Sequence, residues 1–214
     1  FYSEKNIGLS KAVDLLINKI KTKYCLITEP DIRIDHNSIV NMKKIFNINK
    51  KCIIVSPSFK KKNKKNNLEH KIKNFIDPSC VLFNANVMRK IKFYDEDYFF
   101  YWEDIDLMER LKKTDFKIIE MTNIFANHER STSSIYNFKI SLIKTINFKY
   151  GELLFDLKHR NIRLIKIVRQ FAKNFFLLFL NIIFFSKLFL VNLGQIMGIL
   201  KFVSYLFFKK LNRI

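Results

Sequence analysis

Cysteine is scarce in this sequence and the cysteines are far apart. The 214 residues include 3 cysteines, Cys25, Cys52 and Cys80, and no C-x-x-C pair. This spacing argues against a zinc site and implies no disulfide framework, so a reducing compartment fits the composition. Cys25 and Cys52 lie in apolar runs, and we predict that both are buried strand residues.

The sequence begins at Phe1 rather than at a methionine, and its first residues do not have the pattern of a signal peptide. We therefore expect an N-terminally truncated fragment. With 49% hydrophobic residues, the chain is long enough for one domain with a real core and an appendage.

Acidic residues are in short supply, above all in the last third of the chain. There are 19 Asp and Glu against 39 Lys and Arg, a net charge of +20, and residues 136–214 hold only two of the acids. Such a charge suggests an anionic partner, namely nucleic acid, a lipid surface or a phosphorylated small molecule. A genome-wide bias toward Lys, Asn, Ile and Phe is the competing explanation.

The spacing of apolar residues predicts alternating strands and helices in the first part of the chain. The predicted elements are helices over 9–20, 37–47 and 103–113 and strands over 24–28, 52–57, 80–83 and 116–128. Ser10 is the N-cap candidate of the first helix, and the last strand would deliver His128 to its end. The charge run 59–67 is interpreted as a solvated loop rather than a phosphate site. This order indicates an α/β sheet that is partly parallel.

The C-terminal region, 136–214, is predicted to be helical, with no proline after Asn161. Its two main apolar runs, 175–185 and 188–200, fall short of the ~20 residues of a comfortable membrane span. On a helical wheel its polar residues gather on one half: Arg169, Lys173, Asn181, Lys187, Gln195, Lys201 and Lys209. That pattern is typical of a helix in the membrane interface. A span or hairpin, and packing on the soluble domain or in an oligomer, are the alternatives.

Three polar groups could carry chemistry. Asp31, in the turn Glu29-Pro30-Asp31, follows a predicted buried strand at the carboxyl edge, where open α/β sheets bind ligands. Its carboxylate would suit a divalent cation that holds phosphates, or it caps the turn. His128 is either a core histidine or a ligand.

The third group stands in "FFYWEDIDLMERL", residues 99–111. Compensation of the helix dipole and an Asp106–Arg110 pair would explain acids at a helix start. They do not explain the aromatic residues directly before them. Apolar neighbours raise the pKa of a carboxylate and exclude water, which is what a general base requires.

Together, these segments resemble family 2 glycosyltransferases, nucleotide-sugar-dependent enzymes with a GT-A fold, and especially their rhamnosyltransferase-like branch. "NIGLSKAVDLLINKIKTKYCLITEPDIRI" looks like the branch's N-x-G-F helix, strand and N-P-D turn. "FYDEDYFFYWEDIDLMERLKK" looks like its F-D-E-x-F-F-x-Y-x-E-D-x-D-L-x-x-R block, and "FANHERSTSS" looks like its His-then-Ser segment. The match covers about residues 1–135 and lacks the first strand–helix–strand of the fold. It implies a partial GT-A domain, a mixed sheet flanked by helices, followed by amphipathic helices over 136–214.

The resemblance also implies roles for individual residues. Asp31 and His128 would bind Mn²⁺ or Mg²⁺ on the donor diphosphate, and Glu29 occupies a motif position where the branch often has Asn. Asp104, beside Glu103, would be the general base of an inverting transfer. The implied substrate-binding residues are Asn6, Gly8, Phe100, Tyr101 and Trp102.

The implied partners are a nucleotide-sugar donor, a lipid-linked or cell-surface glycan acceptor and the cytoplasmic face of the inner or plasma membrane. Two rival functions remain. A nucleic-acid-binding protein would explain the charge. We nevertheless expect no nucleic acid, because the basic and aromatic residues of the C-terminal region, 136–214, lie on opposite faces of the predicted helix. A non-catalytic membrane scaffold with a degenerate transferase fold is the other.

Overall fold

A computed structural model describes residues 4–59, 69–128, 137–184 and 188–211. The chain divides into two compact units. The sheet unit comprises residues 11–95 and 104–134, and the helical unit comprises residues 1–10, 96–103 and 135–214. The predicted loop 59–67 lies almost wholly outside the described residues.

The architecture is mixed α/β. The strands are β1 (Tyr24–Thr28), β2 (Ile32–Arg33), β3 (Cys52–Ser58), β4 (His70–Lys73), β5 (Cys80–Asn84), β6 (Lys117–Phe125) and β7 (Asn127–His128). The helices are α1 (Leu9–Lys19), α2 (His36–Ile48), α3 (Ala85–Ile91), α4 (Glu103–Lys112), α5 (Phe138–His159), α6 (Leu164–Ile183) and α7 (Phe189–Leu211). The predicted helices at 9–20, 37–47 and 103–113 are confirmed within a residue or two, as are the strands at 24–28, 52–57 and 80–83.

The sheet unit is built on a five-stranded sheet of order β1-β5-β3-β6-β4. Only β3 and β6 run parallel, and the other pairs are antiparallel. Strand β3 is buried along its whole length, because one apolar cluster contains Ile53 and Ile54 and a second contains Val55. The prediction of a partly parallel α/β sheet is therefore confirmed, as is the burial of Cys52, while Cys25 is only half-buried.

Two local predictions are wrong. Ser10 is not an N-cap, because α1 already includes it, and its buried hydroxyl has no hydrogen-bond partner within the described ranges. The strand predicted over 116–128 is interrupted at Ala126, whose N–H donates to the Ser58 carbonyl at 3.1 Å. His128 therefore lies in the separate strand β7, which pairs with β2 rather than with the five-stranded sheet.

The helical unit packs α7 against both α5 and α6. Gly194 and Gly198, one turn apart on α7, allow a close approach to α5. A Cβ on Gly194 would lie 2.7 Å from Thr145 Cβ, and one on Gly198 would lie 2.7 Å from the Ile146 carbonyl oxygen. One face of α7 is therefore occupied by α5.

Helix α7 also contains a 20-residue stretch, Phe189–Phe208, that is long and apolar enough to cross a membrane, of which 39% is buried within the structure. The prediction that the apolar run 188–200 is too short for a span is corrected in this respect, because the stretch continues past Lys201. Lys201 is accommodated by α5, since its Nζ donates to Asn147 Oδ1 at 2.8 Å and lies 4.6 Å from the Tyr150 ring centroid. It does not share one polar face with Arg169, because α6 and α7 are separate helices.

Candidate metal and catalytic site

A short ribbon brings together the two residues predicted to bind metal. Strands β2 and β7 pair antiparallel, with Ile32 opposite His128, so Asp31, directly before β2, lies beside the imidazole. His128 Nε2 is 3.6 Å from Asp31 Oδ2 and 3.5 Å from Glu29 Oε2. The three ligand atoms all lie within 4.8 Å of one another. Asp31 and His128, both predicted to bind metal, therefore lie in one cluster, which also includes Glu29.

The donor set of this cluster fits a divalent cation. Carboxylate oxygens suit Mg²⁺ and Mn²⁺, and an imidazole nitrogen is a common ligand of transition ions. The Asp31 and His128 side chains are 19% and 14% exposed, whereas that of Glu29 is 53% exposed. The pair is therefore held in the protein, and Glu29 is the ligand most open to solvent. His128 Nδ1 is buried, and no acceptor among the described residues orients the ring.

A cavity of about 640 Å³ opens beside His128 in the sheet unit. The polar residues that line it include Ser56, Ser58, Asp77, Glu120 and Thr122. Asp77 is held in place by Ser79, whose backbone N–H and hydroxyl both donate to Asp77 Oδ1, at 3.0 and 2.5 Å. Sequence reasoning missed Asp77, although the "IDPS" turn before a buried strand resembles the "EPD" turn that was recognised.

Asp104 lies in the first turn of α4 and is partly buried. Burial raises the pKa of its carboxyl above the usual value of 3.8, and the negative charge of Asp77 raises it further. Backbone N–H groups at the helix start act in the opposite direction. The electrostatic link to Asp77 connects Asp104 with the cavity that His128 lines.

This link gives a pH prediction. Because the charge of Asp77 helps to raise the Asp104 pKa, Asp77→Asn should shift the titration of the Asp104 carboxyl to lower pH. The measurement is a pH titration of the Asp104 side-chain carboxyl carbon by NMR. An unchanged titration would contradict the coupling, and Asp115→Asn, which alters an exposed acid of the same unit, is the control.

Two neighbouring acids of α4, Glu103 and Asp106, are buried side chains. Glu103, predicted to be part of the catalytic pair, is buried at 6% exposure. Asp106 accepts a hydrogen bond from Arg110 Nε at 2.8 Å, as the i,i+4 spacing predicted. Of Glu103, Asp104 and Asp106, Asp104 is the one that is partly exposed, and burial raises the pKa of its carboxyl.

The aromatic residues before these acids adopt an unusual backbone. Tyr101 and Trp102 have φ of 71° and 72°, a left-handed region that costs non-glycine residues roughly 1–3 kcal/mol each. Within the helical unit the Trp102 ring packs against Phe148 and Phe155 at centroid distances of 5.6 and 5.3 Å. A Cβ on Gly151 would lie 2.9 Å from the Trp102 ring, so only glycine fits there. Such strain concentrates at functional sites, and Phe100 beside it is 37% exposed.

Asn6 and Gly8, predicted to bind substrate, hold this aromatic segment in place. Asn6 Oδ1 accepts the Gly8 N–H at 3.0 Å, and Gly8 has a φ of 84°. A Cβ on Gly8 would lie 2.6 Å from the Phe99 carbonyl oxygen, which also accepts the Leu9 N–H at 2.9 Å. In the structure both residues therefore support the chain at Phe99, and a direct contact with substrate stays a prediction.

A scan of protein-family models and a search of curated proteins found no match to this chain. The residues and their geometry are therefore what supports a function.

Proposed function

We propose that the protein is an inverting glycosyltransferase of GT-A type, which moves a sugar from a nucleotide-sugar donor to a lipid-linked or cell-surface glycan acceptor. The observation that carries this proposal is the cluster of Glu29, Asp31 and His128 at the edge of a polar cavity. The second support is Asp104, a carboxyl with a raised pKa that is electrostatically linked to the same cavity through Asp77.

The cluster would bind the metal ion that holds the diphosphate of the donor. Asp31 and His128, with Glu29 at the solvent side, are the residues that would bind Mn²⁺ or Mg²⁺. The bound ion would offset the charge that develops on the departing nucleoside diphosphate. The mixed donor set, two carboxylates and one imidazole, suits Mn²⁺ better than Mg²⁺.

Asp104 would act on the acceptor. Its carboxylate takes the proton of an acceptor hydroxyl while that oxygen forms a bond to the anomeric carbon from the side opposite the leaving group. The bond from the anomeric carbon to the diphosphate oxygen breaks, and the configuration inverts. For Phe100, Tyr101 and Trp102, contact with the acceptor sugar stays a prediction from the resemblance.

The experiment that tests the activity is a screen for release of nucleoside diphosphate from a panel of nucleotide sugars, with Mn²⁺ and with chelator. We expect Mn²⁺-dependent release with at least one donor, and chelator should abolish it. A folded protein that binds Mn²⁺ but turns over no donor would favour the non-catalytic scaffold.

We propose that the protein meets its acceptor at the cytoplasmic side of the inner or plasma membrane.

Metal binding gives a separate prediction. Asp31→Asn and His128→Ala should each weaken Mn²⁺ binding by about 10- to 100-fold, because each removes one of three ligands. Glu29→Gln should have a smaller effect, since that side chain is largely exposed. Titration calorimetry or Mn²⁺ electron paramagnetic resonance measures the change.

Matched controls for these variants are Asp115→Asn and His36→Ala, which alter the same residue types at exposed positions of the sheet unit. Equal Mn²⁺ affinity in all variants would remove the cluster as the metal site.

A further inference from the structure

Helix α6 carries a broad apolar surface that the other described residues leave uncovered. Eight of its large apolar side chains are between 50% and 75% exposed: Leu164, Ile165, Val168, Phe175, Phe176, Phe179, Ile182 and Ile183. At about 100° per residue they share a single arc of about 120°. Three exposed phenylalanines on one arc are unusual for a helix that faces water.

The charge around this arc has one sign. Lys166, Arg169 and Lys173 lie along one border of the arc, and α6 contains no acidic residue. In the sequence, no Asp or Glu occurs after Asp156, whereas residues 157–214 include eleven Lys and Arg. An apolar strip bordered by cations is complementary to a partner that has an apolar interior and an anionic surface, as an anionic lipid bilayer has.

A basic cavity lies at the N-terminal end of the same helix. It has a volume of about 630 Å³, and the charged residues that line it are Asp156, Arg160, Arg163, Lys166 and Arg169. Asp156 is engaged by Lys166 and by Arg160, the latter at 3.6 Å. In the described part of the chain, Arg163 and Arg169 form no ion pair. The cavity therefore retains positive charge of the kind that attracts a phosphate.

We propose that the helical unit docks on an anionic lipid bilayer through α6, which lies in the plane of the interface with the phenylalanine arc among the acyl chains and Arg163 and Arg169 at lipid phosphates. The 20 residues of α6 would suffice for a span, but the three cations in its first half make that arrangement costly. Helix α7 meets the length and composition of a span, yet its glycine face packs on α5. This docking stands whether or not the protein transfers a sugar.

The test is flotation of the whole protein with vesicles of phosphatidylglycerol and phosphatidylcholine, compared with phosphatidylcholine alone. We expect binding to the anionic vesicles that weakens with salt. Phe176→Ser with Phe179→Ser should lower the partition coefficient at least tenfold, since two exposed rings lose their apolar contact. Arg163→Gln with Arg169→Gln should lower it by about fivefold per residue. Lys50→Gln with Lys113→Gln removes the same charge from the sheet unit and should have much less effect.

A depth measurement separates an in-plane helix from a span. Phe176→Trp and Ile183→Trp place an indole at two points of the arc about 10 Å apart along the helix. The wild-type protein, whose one tryptophan is Trp102, supplies the background. Quenching by brominated lipids should report equal depths at both positions. A difference of about 10 Å would overturn the in-plane arrangement.

Two further results would also overturn the proposal. One is wild-type protein that does not float with anionic vesicles. The other is a dimer in sedimentation that Phe176→Ser with Phe179→Ser dissociates while vesicle binding stays unchanged, which would show that a second copy covers the arc.

Discussion

Replacement of Asp104 by Asn should lower kcat for the proposed sugar transfer by about 10²- to 10⁴-fold and leave Mn²⁺ affinity unchanged. The amide has nearly the shape of the carboxyl but cannot accept the acceptor proton. Asp104 lies in the sheet unit, as the Asp31–His128 cluster does, yet it belongs to α4 and not to the ribbon. We therefore expect this variant to retain binding of the donor and of Mn²⁺ while it loses catalysis.

The stability of the variant distinguishes a chemical role from a structural one. The folded-state pKa of Asp104 is raised by burial, so the folded protein holds this proton more tightly than the unfolded chain does. The free energy of unfolding contributed by Asp104 therefore falls as pH rises from the ordinary pKa to the raised one. Asn has no such loss, so the variant should be as stable as wild type or more stable at neutral pH.

Measurement of kcat together with denaturant unfolding checks both parts. A variant that is inactive and also less stable would point to a structural role for Asp104. A variant with wild-type kcat would exclude Asp104 as the base. Asp115→Asn is again the matched control, because its carboxylate is 91% exposed.

The second large effect concerns stability rather than chemistry. Asp106→Ala should lower the free energy of unfolding by about 3 kcal/mol. The Asp106 side chain is 1% exposed, and its partner Arg110 is 27% exposed. Arg110 also donates to the carbonyl oxygens of Ile91, Lys92 and Phe93 at 3.0, 2.8 and 2.8 Å.

Loss of the carboxylate would leave a partly buried guanidinium without its counter-charge. The segment that follows α3, which includes Lys92 at a φ of 61°, would then lose a well-oriented donor. Urea unfolding measures the change. Asp115→Ala, which breaks the exposed pair with Lys51, should cost less than about 1 kcal/mol. Equal costs for the two variants would contradict the structural role of Asp106.

Much of the fold was predictable because its elements follow local rules. The strands at Tyr24–Thr28 and Cys52–Ser58 are short apolar runs that end at turn residues, and α4 begins at acids that complement its dipole. The edge strand β4 was missed because its sequence, HKIK, has only one apolar residue. The break at Ala126 was missed because a hydrogen bond to Ser58, far away in the chain, determines it.

In the candidate site, too, the features set by local sequence were predictable and those set by distant contacts were not. Asp31 and His128 were selected on residue type and on resemblance, and the antiparallel pairing of β2 with β7 brings them together. The Asp106–Arg110 pair follows from helix spacing alone. The left-handed backbone of Tyr101 and Trp102 could not be predicted, because neither residue type favours it and packing around Gly151 and Phe148 imposes it.

The two-residue ribbon of β2 and β7 has a consequence for the order of folding. Its strands are separated in sequence by most of the sheet unit, and they share a register of only two residue pairs. Closing so long a loop for so few contacts is unfavourable until the five-stranded sheet has formed. We therefore expect the cluster of Glu29, Asp31 and His128 to assemble at the end of folding. If the cluster binds Mn²⁺ as proposed, the time course of Mn²⁺ binding during refolding would report this last step.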